Sequence, residues 1–301
     1  MPASLLEFHI VPPGAPRERL SDYAYKVFQT LPSRKGMKKA IKAGALLVDG
    51  SPGQTGDWIA PGQRIELMSQ AIAPPKPLEL TLEILFLDSH LAVINKPAGL
   101  PTSGNRYRTV VNALQFNLSP SDVEDALPWP RPVHRLDALT SGLLLVARSH
   151  SAAIGLGNQF ESKLVRKVYQ AIAVGKTPEK GLLQYPIDGQ EAYTEFRLLR
   201  KVRSLKTEWL SLLELYPRTG RTHQLRRHLA EAGHPILGDA LYSGNGPVLK
   251  GKGLFLCATS LEFTHPATGE TMHFTSSPPA KFESFLQRSG QRWQKFRGRQ
   301  A

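Results

Sequence analysis

Arg131-Pro-Val-His-Arg-Leu-Asp137-Ala-Leu-Thr-Ser-Gly142-Leu-Leu-Leu-Val-Ala-Arg148 sets a carboxylate in a turn, between His134-Arg135 and Thr140-Ser141-Gly142, immediately ahead of a strongly apolar run. The run Gly142 to Ala147 reads as a buried strand. A turn at the head of a strand is where a fold presents a reactive side chain, so Asp137 is the leading candidate for chemistry. On these residues alone a structural role stays open, because Asp also caps turns through its own backbone amides.

Outward from this stretch, short apolar runs at 82–87, 91–94, 168–174, 209–215 and 254–257 alternate with helical stretches at 110–118 and 222–232. The mixture predicts an α+β domain on a mixed, largely antiparallel sheet. A regular βαβ alternation opening on a glycine-rich turn is absent, which argues against a doubly wound nucleotide fold. Ahead of it, Ala71-Ile-Ala-Pro-Pro-Lys-Pro-Leu78 is too proline-rich for a helix or central strand and reads as a linker over 71–78.

The segment before the linker reads as helix, turn, helix, hairpin. Leu20, Tyr23, Ala24, Val27 and Phe28 recur at helical spacing, Ser33 can cap a second helix, and Gly44 can close it. Leu46-Leu-Val48 followed by Asp49-Gly50 predicts a strand entering a tight turn, with Ile65 to Met68 as its partner. Arg34, Lys35, Lys38, Lys39 and Lys42 form a basic stripe suited to phosphates, although a solvated helix face would look the same.

The chain has 301 residues, enough for two domains at roughly 150 each, and a net charge of 38 − 25 = +13. Residues 11–50 hold eight basic and three acidic side chains, and residues 281–301 hold six and one, so each segment contributes +5. Such concentrated charge favours a polyanionic partner. Hydrophobic residues at 41% and charged residues at 21% exclude wholesale disorder. The single cysteine, Cys257, excludes a disulfide framework or an iron–sulfur centre and suits a reducing compartment. No apolar run is long enough to span a bilayer, so a membrane partner is not expected.

Three other motifs carry less. Gly246 to Lys252 has the spacing of a phosphate loop, but Gly253 stands where Ser or Thr should bind magnesium, and a strand rather than a helix follows. His223, His228 and His234 are spaced by five and six, unlike a helical zinc pair, and no metal is expected. Cys257 sits in an apolar run and reads as core.

Arg19-Leu20, Ser33-Arg34, Ile41, Gly44, Val48-Asp49-Gly50 and Pro61-Gly62 together resemble the small RNA-binding domain named after ribosomal protein S-four. His134-Arg-Leu-Asp137 with Thr140-Ser-Gly142, Arg166-Lys-Val-Tyr169-Gln-Ala171, Thr219-Gly-Arg221-Thr-His-Gln-Leu-Arg226 and Gly238-Asp-Ala-Leu-Tyr242 resemble, in order, the motifs of the RluA-type pseudouridine synthases; Asn95-Lys-Pro-Ala-Gly-Leu100 adds a fifth. The segment after it, Pro101 to Arg106, departs from the histidine-containing stretch of many relatives, so substrate identity does not carry over through that loop.

The resemblance implies isomerisation of uridine in RNA to pseudouridine without a cofactor. It assigns Asp137 as nucleophile or base toward the sugar, Arg221 as the ion-pair partner that keeps it ionised, and Tyr169 as the tyrosine beside the uracil. Arg135 is the residue expected to enter the space that a flipped nucleotide leaves, and Arg226, one of the arginines beside Arg221, is expected to hold phosphate. The expected layout is a basic RNA-binding α/β domain at 14–70, a catalytic domain with a central cleft at 79–287 and a basic tail at 288–301. The expected partner is ribosomal or transfer RNA, in the cytoplasm, with no obligate protein partner. An RNA-binding or RNA-folding protein on the same scaffold is the rival reading.

Overall fold

The computed structural model describes residues 5–28, 30–31, 33–68, 74–244 and 252–297. Part of the expected linker (71–73), most of the loop at 246–252 and the last four residues of the expected tail lie outside that set. The chain forms two compact units: one takes the residues up to Pro75 with Leu127–Trp129, the other takes the rest.

In the smaller unit, β1 (Leu5–Ile10), β2 (Leu46–Val48), β3 (Ser51–Pro52) and β4 (Arg64–Met68) form an antiparallel sheet in the order β1-β4-β2-β3, with α1 (Leu20–Val27) and α2 (Arg34–Lys42). Ser33 caps α2, its Oγ accepting from the Gly36 amide at 3.1 Å. Met37, Ala40 and Ile41 turn inward onto Leu20, Tyr23, Ala24 and Phe28, which leaves Lys35, Lys39 and Lys42 exposed and Lys38 half-buried. Asp49 and Gly50 both take positive φ, 51° and 80°, as a two-residue hairpin requires. The turn leads first into β3, and β4 then pairs with β2 from its other side through Val48–Ile65 and Leu46–Leu67.

The larger unit is a ten-stranded mixed sheet. Its strands are β5 (Glu83–Leu87), β6 (Leu91–Lys96), β7 (Ala126–Pro132, of which Ala126 and Pro130–Pro132 belong to this unit), β8 (Ser141–Ser149), β9 (Arg166–Val174), β10 (Lys180–Leu183), β11 (Thr194–Ser204), β12 (Glu208–Pro217), β13 (Leu256–Thr264) and β14 (Thr271–Thr275). The order is β10-β11-β12-β9-β13-β8-β6-β5, with β14 on β13 and β7 on β8. Among the described strands every pairing is antiparallel except β8 with β13, which meet in parallel at Ser141–Cys257 and Gly142–Ala258. β8 is buried along its whole length, as its unbroken apolar run requires.

Among the described residues, α3 (Val110–Asn117), α4 (His150–Glu161), α5 (Gln224–Glu231) and α6 (Lys281–Arg297) accompany this sheet. Residues 288–297, read from sequence as tail, form the second half of α6. Phe282 and Leu286 anchor this helix in a core with Phe255 and Cys257. The charged residues interleaved with those inward positions mask them in the sequence.

Candidate active site

Asp137 is held by two clasped turns. Its own turn closes with the Thr140 amide donating to the Asp137 carbonyl at 3.0 Å. The second turn, Lys96 to Leu100, carries Gly99 at φ 87° and donates the Gly99 amide to the Ala138 carbonyl at 2.7 Å. Lys96 is fully buried, and its ammonium donates to the carbonyls of Leu100 (2.7 Å), Pro97 (3.0 Å) and Ala138 (3.3 Å). Burial pushes Lys96 down to about 8, opposed by the charge of Asp137. Thr102 completes the clasp: its hydroxyl donates to the Leu136 carbonyl at 2.9 Å and accepts from the Leu136 amide at 3.1 Å. Thr102 falls in the segment that departs from the family pattern, and sequence reasoning missed both it and Lys96.

Behind the turn, His134 stacks on Phe160 with ring centroids 4.6 Å apart and accepts from the Leu145 amide through Nε2 at 3.0 Å. Burial, then the Lys167 charge, push it down to about 3, so it is neutral near pH 7. On the other side of the turn, Gly142 has φ 110°, and a Cβ there would lie 2.1 Å from the Ala258 carbonyl oxygen. Only glycine lets β8 and β13 approach this closely.

The Asp137 carboxylate is 19% exposed and lines a cleft of about 1040 Å³ together with Arg135, Tyr169, Arg221, His223 and Arg226 among others. Among the described residues no hydrogen bond engages the carboxylate; Arg226 Nη1 and His223 Nε2 each lie 3.7 Å from Oδ2. That is ion-pair range but too long for a hydrogen bond, so the oxygens keep their lone pairs. Tyr169, on β9, lines the same cleft, and burial followed by the Asp137 charge raises its hydroxyl far above its ordinary value.

The arginine beside Asp137 is Arg226, not Arg221. Arg221 lies ahead of α5 and turns its Nε to the Glu191 carbonyl at 3.1 Å. Arg226, in the first turn of α5, is buried and grips Asp239 with Nε at 2.7 Å and Nη2 at 2.8 Å, over the Tyr242 ring at 5.0 Å. Asp239 also accepts from the Leu241 and Tyr242 amides and is held below the usual carboxylate range, burial opposing and Arg226 prevailing. The phosphate-binding expectation for Arg226 is therefore corrected: its donors face carboxylates inside the protein. The Gly238-Asp239 motif was the signal, since a buried Asp needs a cationic partner.

Three further features complete the site or lie apart from it. Arg135 is exposed on the cleft wall. His223 takes a left-handed φ of 56° and pairs its Nδ1 with the Tyr242 hydroxyl at 2.8 Å, a pairing across 19 residues that sequence reasoning missed. In the smaller unit, Arg34 pairs with Asp22 at 2.6 Å. Among the described residues no His, Cys, Asp or Glu cluster is arranged to hold a metal, and no helix is long and apolar enough to cross a membrane.

A carboxylate with free oxygens, a guanidinium and a tyrosine thus share one cleft of a mixed sheet. Residues 90–231 match the family model for RNA pseudouridylate synthase. The chain is 35% identical over 299 residues to an uncharacterized RNA pseudouridine synthase of Chloroflexus aurantiacus, covering 92% of each chain. It is 33% identical over 319 residues to the ribosomal large subunit pseudouridine synthase D of Xanthomonas campestris, covering 94% of this chain and 92% of that one. The structure resembles human RNA pseudouridylate synthase domain containing 4 with a TM-score of 0.56 and 27% identity, covering 68% of this chain and 92% of that one. The chain belongs to the RNA pseudouridylate synthase family, in its RluA-type branch. It is an isomerase that converts uridine in RNA to pseudouridine.

Proposed function

We propose that this enzyme modifies large-subunit ribosomal RNA in the cytoplasm, with Asp137 as the reacting carboxylate. The observation that carries the residue assignment is the Asp137 carboxylate itself, without a hydrogen bond among the described residues and 3.7 Å from a buried arginine. Several relatives bear the name ribosomal large subunit pseudouridine synthase D, which supports the substrate class. Isomerisation breaks the bond from N1 to C1′, forms one from C5 to C1′, and moves a proton from C5 to N1. Asp137 serves the sugar in this exchange, as nucleophile toward C1′ or as base. Arg226 is the ion-pair partner of that carboxylate, a part first expected of Arg221. Tyr169 lies against the uracil ring. Arg135 enters the stack vacated by the flipped uridine, which costs a few kcal/mol to extrude. The stripe of Lys35, Lys38, Lys39 and Lys42, with Arg34, docks the RNA backbone, and the unit before Pro75 is an RNA-binding module.

The test is a pseudouridine map of ribosomal and transfer RNA in cells lacking this protein, complemented with wild type or Asp137→Asn. Loss of large-subunit sites restored by wild type alone is the expected result. Restoration by Asp137→Asn would overturn the residue assignment, and loss confined to transfer RNA would overturn the substrate class.

A further inference from the structure

Most basic side chains lining the cleft are engaged or stand in water. Arg166 pairs with Glu262 at 3.1 Å, Arg218 with Glu195, and Arg226 with Asp239. Arg221 donates to a backbone carbonyl, and Arg135 and Lys163 are exposed. Lys167 does neither. It lines the cleft half-buried, and among the described residues no hydrogen bond or ion pair reaches its ammonium. Its ammonium lies 5.8 Å from the centroid of the Phe160 ring. Burial lowers its pKa with no carboxylate opposing the shift. His134, its titratable neighbour, is neutral near pH 7 and offers no negative charge.

An exposed lone lysine costs nothing, but an ammonium withdrawn from water without a counterion destabilises the fold that holds it. Such a group is matched when an anion enters. Side chains alternate along β9, so Lys167 and Tyr169 share a face about 6.6 Å apart along the strand. That is close to the separation of a nucleobase from its own phosphate. We propose that Lys167 binds one of the two phosphodiesters flanking the uridine being isomerised. The inference rests on the reading that Tyr169 lies against that uridine's base, and it adds a substrate-binding residue that fixes the nucleotide in register with Asp137.

Two measurements on the full chain test it. In the first, the side-chain resonance of Lys167 in lysine-labelled protein, assigned by its loss in Lys167→Arg, is followed during titration with uridine 3′,5′-bisphosphate, uridine or inorganic phosphate. The expected result is a shift with the bisphosphate at lower concentration than with inorganic phosphate, and none with uridine. No shift with the bisphosphate, or an equal response to inorganic phosphate, would overturn the proposal. In the second, binding of an unmodified large-subunit ribosomal RNA transcript is measured from about 50 to about 200 mM salt for wild type, Lys167→Met and Lys167→Arg. The slope of log K against log salt should be shallower by about 0.7 to 0.9 in Lys167→Met and near wild type in Lys167→Arg. An unchanged slope in a folded Lys167→Met would also overturn it. A wild type that converts no uridine in the transcript would defeat the ribosomal reading, while the bisphosphate titration would still decide the lysine.

Discussion

The surroundings of the Asp137 carboxylate, more than its own turn, set it apart from an aspartate that merely caps a turn. An arginine and a histidine stand 3.7 Å away, and among the described residues no donor blocks the carboxylate. Asp137→Asn should lower turnover by roughly a thousandfold or more while RNA affinity is retained, read by tritium release from C5. Arg226 serves two carboxylates, Asp137 and the bidentate partner Asp239. Arg226→Met leaves Asp239 buried without its partner and should cost about 3 to 5 kcal/mol in a denaturant melt. Arg226→Lys should not restore the loss, because an ammonium lacks the planar fork. Arg221→Ala should leave stability near wild type, which separates the two arginines in one experiment. Their order in Arg221-Thr-His-Gln-Leu-Arg226 was legible in sequence; which one faces inward depends on where α5 begins.

At the scale of elements, the site is two turns locked together where β8 meets β13. Lys96→Met removes three donations to backbone carbonyls and should destabilise the protein on the order of 3 kcal/mol, with activity lost as the Asp137 turn loosens. Gly142→Ala forces a Cβ to within 2.1 Å of the Ala258 oxygen at φ 110° and should cost about 3 kcal/mol or more. The turn also carries an acid sensitivity. Unfolded, the His134 imidazole has its ordinary value of 6.5; folded, it sits at about 3. Between those values the unfolded chain binds the extra proton, so stability falls as pH falls, by up to about 1.4 kcal/mol per pH unit. Above pH 6.5 this contribution is constant. A thermal melt series should show the decline in wild type and a weaker one in His134→Gln.

Over the whole molecule, the +13 charge is local. In the smaller unit the exposed side of α2 carries its share, whereas part of the C-terminal share is engaged inside the fold. There Lys281 donates to the Lys252 and Leu254 carbonyls. Replacing Lys35, Lys38, Lys39 and Lys42 together by Gln should reduce the salt slope of RNA binding by about 0.7 to 0.9 for each phosphate these lysines neutralise. A slope equal to wild type would mean that this face meets only solvent.

Part of what is local or periodic in this protein could be read from the order of its amino acids, although β1, β3, β7, β10, β11, β14, α4 and α6 were not. The part that could includes β2, β4, β5, β6, β8, β9, β12 and β13, the helices α1, α2, α3 and α5, the Ser33 cap, the Asp49-Gly50 turn, and the motif run that places Asp137 and Tyr169 in one site. Each is written within a few residues, where spacing, capping and glycine's freedom act directly. Folding in three dimensions was needed to set Arg226 rather than Arg221 beside Asp137, to clasp Thr102 onto Leu136 across 34 residues, and to leave Lys167 without a counterion. Burial and pairing of charge depend on which distant side chains share a low-dielectric space, and no local pattern encodes that.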